Sequence, residues 1–296
     1  MAETHRHVFI CGLHRSGTTL ITRHLAKHPG IGGFTNTGVI EDEGQFLQSV
    51  MPLEIEYGGV GRFGFDPRAH MTEASPLNTP ENSKRLLAEW SSHWDMSKPV
   101  LVEKTPSNLL RMRLLGALMP SCSFIIVTRH PIASALATMK WTEGNLFSLL
   151  CHWTHCYKIA REDAARLPHV LWVSYEAFVA DPRAQLDRML GFLGLLPDSE
   201  PITLANENRK YFHLWREKYY GDGERAIIQE PPEHYRSLIT RFKERFEREA
   251  RERALPAFRR RENLRNFYDA LDAAALLEET VGTFGYSFFD LDKTPG

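Results

Sequence analysis

The chain has 296 residues, and its 36 Lys plus Arg nearly balance 37 Asp plus Glu, for a formal net charge of −1. That length buries a sizeable core, and the near-zero charge excludes a general electrostatic attraction to nucleic acid or an anionic membrane, so any anion site must be local. No stretch approaches the roughly 18 apolar residues of a spanning helix, and MAETHRHVFICGL offers no apolar run before a cleavage site, so a soluble, cytoplasmic protein without a membrane span is expected.

The first apolar run, HVFICGL (His7 to Leu13), reads as a buried strand. It leads into GLHRSGTTL, whose Gly12-x-x-x-x-Gly17 spacing matches a Walker A loop, except that Thr18 stands at the lysine position and Thr19 at the Ser/Thr position. A strand, a glycine-containing loop and a helix in this order point backbone N–H groups and the positive helix end at an anion. The usual grip on a γ-phosphate is missing. TTLITRHLAKHP then carries helical spacing through Leu20, Ile21, His24 and Leu25 and stops at Pro29-Gly30.

From about Gly30 to Pro99 the chain is rich in Gly and Pro and too long for a simple crossover, so an insertion covering the active-site edge is expected. Within it, Gly59-x-Gly61-x-x-Gly64 is followed by Asp66-Pro67 where a dinucleotide-binding helix would begin, and reads as a loop. VLVEK (Val100 to Lys104), SFIIVTR (Ser123 to Arg129) and HVLWVSY (His169 to Tyr175) complete a set of parallel-type strands separated by helical patterns. A Walker-type enzyme wants an acidic residue near a later strand end to hold magnesium, whereas SFIIVTRHP ends in Arg129. A fixed guanidinium there suits direct bidentate binding of a phosphate, and Pro131 starts the next helix.

CHWTHC (Cys151 to Cys156) fits no common zinc spacing and reads as helix packing, so no metal is expected. The four cysteines suggest reduced thiols rather than a disulfide framework. RAQLDRMLGFLGL places Leu186, Met189, Leu190 and Leu193 on one helix face, and the basic stretch from Arg241 to Arg261 reads as an amphipathic surface helix. The fold expected is α/β, a P-loop-like parallel sheet flanked by helices. It forms one domain over 1–296, with the insertion at about 30–99 and a helical C-terminal part at about 200–296. No oligomeric state follows from the sequence.

These blocks resemble the sulfotransferase family that uses 3′-phosphoadenylyl sulfate (PAPS). LHRSGTT resembles its 5′-phosphosulfate loop, which implies donor contacts for His14, Arg15, Ser16, Gly17, Thr18 and Thr19, with Arg15 in the place of the loop's basic residue and so also a catalytic candidate. TRHPIASALATM resembles the 3′-phosphate segment beginning at Arg129. The family usually has a serine eight residues later, where this chain has Ala137; Ser134 or Thr138 could supply that hydroxyl. VEKTP resembles the segment that brings Lys104 to the transferring sulfonyl group, and VSYEAFVADPRAQLDRMLGFLGL resembles the strand and helix whose Tyr175 lies near the adenine.

The resemblance implies in-line sulfonyl transfer to an acceptor hydroxyl or amine, without metal; sugar, lipid, phenol and peptide acceptors all stay open. Some branches of the family take the base from a histidine after the Lys-Thr pair, where this chain has Pro106. Others use a glutamate after the first helix, where TGVIEDEGQFLQ supplies Glu41, Asp42 and Glu43. The expected base is Glu41 first and Glu43 second, with Lys104 stabilising charge. A helix-capping role for this acidic cluster is the plainer alternative. Two other readings of the whole chain are a Mg-ATP-dependent kinase on a related loop fold and a non-catalytic nucleotide-binding protein.

Overall fold

The structure, a computed structural model, describes residues 5–142, 145–197, 202–216 and 270–295. Five strands form a single sheet: β1 (Arg6–Cys11), β2 (Ile31–Gly33), β3 (Val100–Lys104), β4 (Ser123–Thr128) and β5 (Val170–Ser174). Their order is β2-β3-β1-β4-β5, and every neighbouring pair is parallel. β1, β3, β4 and β5 are the four apolar runs of the sequence. β2 falls inside the stretch read as insertion, and its Ile-Gly-Gly carries almost no side-chain signal.

Alternation along the central strands sends side chains to two separate cores. Val8 and Ile10 of β1 join Ile125 and Val127 of β4 on one face, beneath α1 (Thr18–Leu25), α6 (Tyr175–Ala180) and α7 (Pro182–Phe192). Phe9, Cys11, Phe124 and Ile126 face the other way, toward α2 (Pro80–Ser91), α3 (Met112–Leu118), α4 (Pro131–Thr138), α5 (Leu146–Ala164) and α9 (Ala270–Gly282). α8 (Asn208–Trp215) packs on α4.

The helices begin where the sequence supplies caps. Thr79, Asn145, Ser174 and Asp181 each accept a hydrogen bond from a first-turn amide, and α2, α4 and α7 each carry proline in their first turn. The predicted stripe on α7 is buried at Leu186, Met189 and Leu190. CHWTHC lies in α5, where the His152 ring accepts from the Gly64 amide at 3.0 Å and packs edge-on to Phe63. The basic stretch from Arg241 to Arg261 lies outside the described residues. Among the described residues no helix is long and apolar enough to cross a membrane.

Candidate active site

Because all strands run parallel, the segments after β1, β3, β4 and β5 gather at the carboxyl edge of the sheet, where such folds bind ligands. After β1 the chain turns at Gly12, which has no room for a side chain: a Cβ there would stand 2.5 Å from the Val127 carbonyl oxygen. Arg15 takes a left-handed conformation (φ 66°), and Gly17 (φ 105°) caps α1. No side-chain oxygen caps this helix and no acidic residue sits in its first turn, so its positive end, at Thr18 and Thr19, is left for an external anion. Gly17 also lies against the Tyr175 ring, where a Cβ would come within 2.8 Å of Cδ2. Ser16 and Thr18 are buried, whereas Arg15 is exposed, its guanidinium 5.6 Å from the centre of the exposed Trp141 ring.

Arg129 follows β4 into the same region and is 5% exposed. Its Nε donates to Asn208 Oδ1 at 2.7 Å and its Nη1 to the Arg15 carbonyl oxygen at 2.8 Å, while the guanidinium lies 4.2 Å from the Tyr175 ring centre. Nη2 is buried without a partner, and among the described residues no carboxylate pairs with Arg129. Burial pulls its basicity down. A buried guanidinium held on two nitrogens with a third left over fits an incoming oxyanion.

The support behind Arg129 is a relay that sequence reasoning missed. Asn208 Nδ2 donates to Glu176 Oε1 at 2.6 Å, and Glu176 also receives the His130 amide at 2.9 Å and the Tyr286 hydroxyl at 2.9 Å. Among the described residues, neither the Ser134 nor the Thr138 hydroxyl hydrogen-bonds to Arg129. They line a small cavity with His14, Gly61 and His152; Ser134 Oγ has no partner there, and the Thr138 hydroxyl donates to the Ser134 carbonyl oxygen at 2.7 Å.

The end of β3 and the residues that pack on it form the second half of the candidate site. Lys104 Nζ donates to Glu43 Oε1 at 3.0 Å, and both side chains are buried. Gln45 Nε2 donates to Glu43 Oε2 at 2.7 Å, and the Gln45 amide donates to Thr105 Oγ1 at 3.1 Å. Behind them Glu103 accepts from the Gly44 amide, Thr105 Oγ1 and Asn108 Nδ2, at 3.0, 2.5 and 2.5 Å. Full burial raises its pKa to about 7 in spite of those donors. Glu103 thus ties the turn Gly44–Leu47 to the sheet and holds Glu43 opposite Lys104.

The structure separates the two glutamates that the sequence put forward, Glu41 ahead of Glu43. Glu41, at φ 51° in the turn Ile40–Asp42, turns outward; its side chain is 46% exposed and lies 3.5 Å from Arg23 Nη2. Glu43 precedes the turn Gly44–Leu47 and makes no side-chain cap to it, so at this residue the plainer capping alternative does not describe the geometry. An open groove lined by Gln45, Phe46, Met51, Leu53 and Glu56 lies beside this pair.

His14, in the loop after β1, holds Glu54 Oε1 at 2.9 Å through Nε2. Besides Asn208 and Glu176, Glu54, Glu103 and Arg111 were not singled out from the sequence. Only Arg111, a cation inside the apolar run LLRMRLLGALM, carried a signal that could have found it.

Among curated proteins no match is found. Solved structures similar to the chain include a sulfotransferase from Alicyclobacillus acidocaldarius, at 16% identity over 87% of this chain and 100% of that one, with a TM-score of 0.44. A sulfotransferase from Mycobacterium avium is similar at 18% identity over 74% and 69% of the two chains, also with a TM-score of 0.44. The sulfotransferase domain of the Synechococcus PCC 7002 olefin synthase is similar at 20% identity over 66% and 75%, with a TM-score of 0.41. The profile described as the sulfotransferase family matches residues 7–199, which is more than half of the chain and contains the loop, Glu43, Lys104, Arg129 and Tyr175, and the chain therefore belongs to the sulfotransferase family.

Proposed function

We propose that the chain transfers a sulfonyl group from PAPS to an acceptor hydroxyl or amine, with residues 30–99 forming the acceptor side of one domain. The observation that carries this reading is Arg129: a buried guanidinium without a carboxylate partner among the described residues, beside a phosphate-type loop that lacks the γ-phosphate lysine. A donor with one 5′-phosphate capped by sulfate needs neither that lysine nor a bridging magnesium, and its separate 3′-phosphate needs a cation of its own. A kinase would instead require a magnesium carboxylate at the place Arg129 occupies.

In this reading the backbone from Ser16 to Thr19 cradles the phosphosulfate and Arg129 takes the 3′-phosphate. Glu43 accepts the proton of the acceptor as its oxygen or nitrogen bonds to sulfur. The bond from sulfur to the 5′-phosphate oxygen breaks as the new one forms, and adenosine 3′,5′-bisphosphate leaves with the electron pair. Lys104, with N–H donors beyond the one given to Glu43, stabilises the charge that develops on the transferring group and the leaving oxygen. Geometry thus favours Glu43 over Glu41 as the base.

Two binding experiments test the donor half. Arg129→Ala is expected to weaken adenosine 3′,5′-bisphosphate by about 2 kcal/mol, roughly thirtyfold, and to leave adenosine 5′-phosphate little changed. Titration calorimetry with both ligands reads this directly, and equal weakening of the two would remove the 3′-phosphate assignment. Gly17→Val is expected to weaken the bisphosphate about tenfold or more, because a β-branched residue at φ 105° is strained and its Cβ meets Tyr175. Undiminished affinity in that variant would mean that the loop does not bind the donor.

A further inference from the structure

Gln45 lies in the turn Gly44–Leu47 and is 2% exposed, yet it lines the open groove beside Glu43. Both ends of its carboxamide are engaged. Oε1 accepts from the Glu54 backbone amide at 3.2 Å, and Nε2 donates to Glu43 Oε2 at 2.7 Å. Chemistry forces this order of the two ends, because a backbone N–H can only donate and so requires the oxygen of the carboxamide. The nitrogen is left for Glu43.

Glu43 therefore meets two groups that only donate, the Gln45 amide nitrogen on Oε2 and the Lys104 ammonium on Oε1 at 3.0 Å. A carboxylic acid would need an acceptor for its own proton, and neither contact offers one, so the arrangement suits the carboxylate that a base requires. Each carboxylate oxygen keeps a further lone pair for the proton of an acceptor.

The carboxamide is itself set from two sides. The Gln45 backbone amide donates to Thr105 Oγ1 at 3.1 Å, which fixes the residue at the end of β3. Glu54, whose amide meets Gln45 Oε1, is held through its own carboxylate by His14 Nε2 at 2.9 Å, in the loop after β1. One buried side chain thus joins the loop of the donor half to the glutamate of the acceptor half. We infer that Gln45 is a positioning residue for the base, holding the Glu43 carboxylate in its orientation for proton transfer by its N–H donor rather than by its bulk. This rests on the sulfonyl-transfer reading above, with Glu43 as the base.

The test measures kcat for labelled sulfonyl transfer by the full chain to 4-ethylphenol, methyl glucopyranoside, octanol and tyrosinamide, together with adenosine 3′,5′-bisphosphate affinity and Tm. Gln45→Met keeps the length of the side chain and removes both polar ends. Gln45→Glu keeps an oxygen for the Glu54 amide and replaces the donor to Glu43 by a second carboxylate. With whichever probe the wild type uses, both variants are expected to lower kcat about tenfold or more, since a misplaced reacting group loses much of its effect, while bisphosphate affinity holds. Because Gln45 acts through Glu43, adding Gln45→Met to Glu43→Gln should change kcat by less than about twofold. Should Gln45→Met not fold, Gln45→Glu carries the same comparison. A Gln45→Glu variant with wild-type turnover overturns the inference, since shape alone then suffices. A loss in Gln45→Met that is equally large with and without Glu43, or that falls on Tm alone, also overturns it, as packing would give that result. A collapse in Glu43→Gln beside wild-type rates in both Gln45 variants removes this inference and leaves the base in place. Full turnover in Glu43→Gln, or a wild type that transfers to none of the probes, removes the base and the role of Gln45 together.

Discussion

Glu43→Gln is expected to lower turnover by about a hundredfold or more, the usual scale of a general base, while affinity for adenosine 3′,5′-bisphosphate stays near that of the wild type. Glu41→Gln should change turnover little, because its carboxylate lies out beside Arg23 rather than on Lys104. Initial rates of sulfonyl transfer to a verified acceptor decide the matter. Full turnover in Glu43→Gln together with a collapse in Glu41→Gln would restore the order that the sequence suggested.

Lys104→Met is expected to cost more, because it acts in two ways. Losing a preorganised donor to developing charge lowers turnover by about a hundred- to a thousandfold. Removing one member of a buried ion pair also destabilises the fold, by about 3–5 kcal/mol in typical cases and toward the lower end here, since Gln45 still holds the Glu43 carboxylate. The two effects part in the double variant. Lys104→Met with Glu43→Gln should recover much of the denaturant stability lost by Lys104→Met and none of the turnover. Recovery of both would reduce the pair to a structural ion pair.

The legible and illegible parts of this protein differ for physical reasons. β1, β3 and β4 are buried along most of their length, so their apolar runs announced them, and the loop from Gly12 to Thr19 is local, so its spacing was visible. β2 was hidden because glycines contribute no periodicity. The sequence put Glu41 ahead of Glu43, and Glu41 adopts a left-handed conformation that neither the two-residue period of a strand nor a helical period anticipates. Asn208, Glu176 and Tyr286 acquire meaning only through contacts with residues far away in the chain, as Arg129 and Asn208 show at a separation of 79 positions.

That relay also bears on when the protein can first work. Arg129 is aligned by Asn208, Asn208 by Glu176, and Glu176 takes the hydroxyl of Tyr286. During synthesis the strands of the sheet, all of them before residue 175, emerge from the ribosome well ahead of that tyrosine. A nascent chain can therefore assemble its sheet while the guanidinium is still unaligned, and the alignment of Arg129 is completed only once Tyr286, 110 positions after Glu176, has followed.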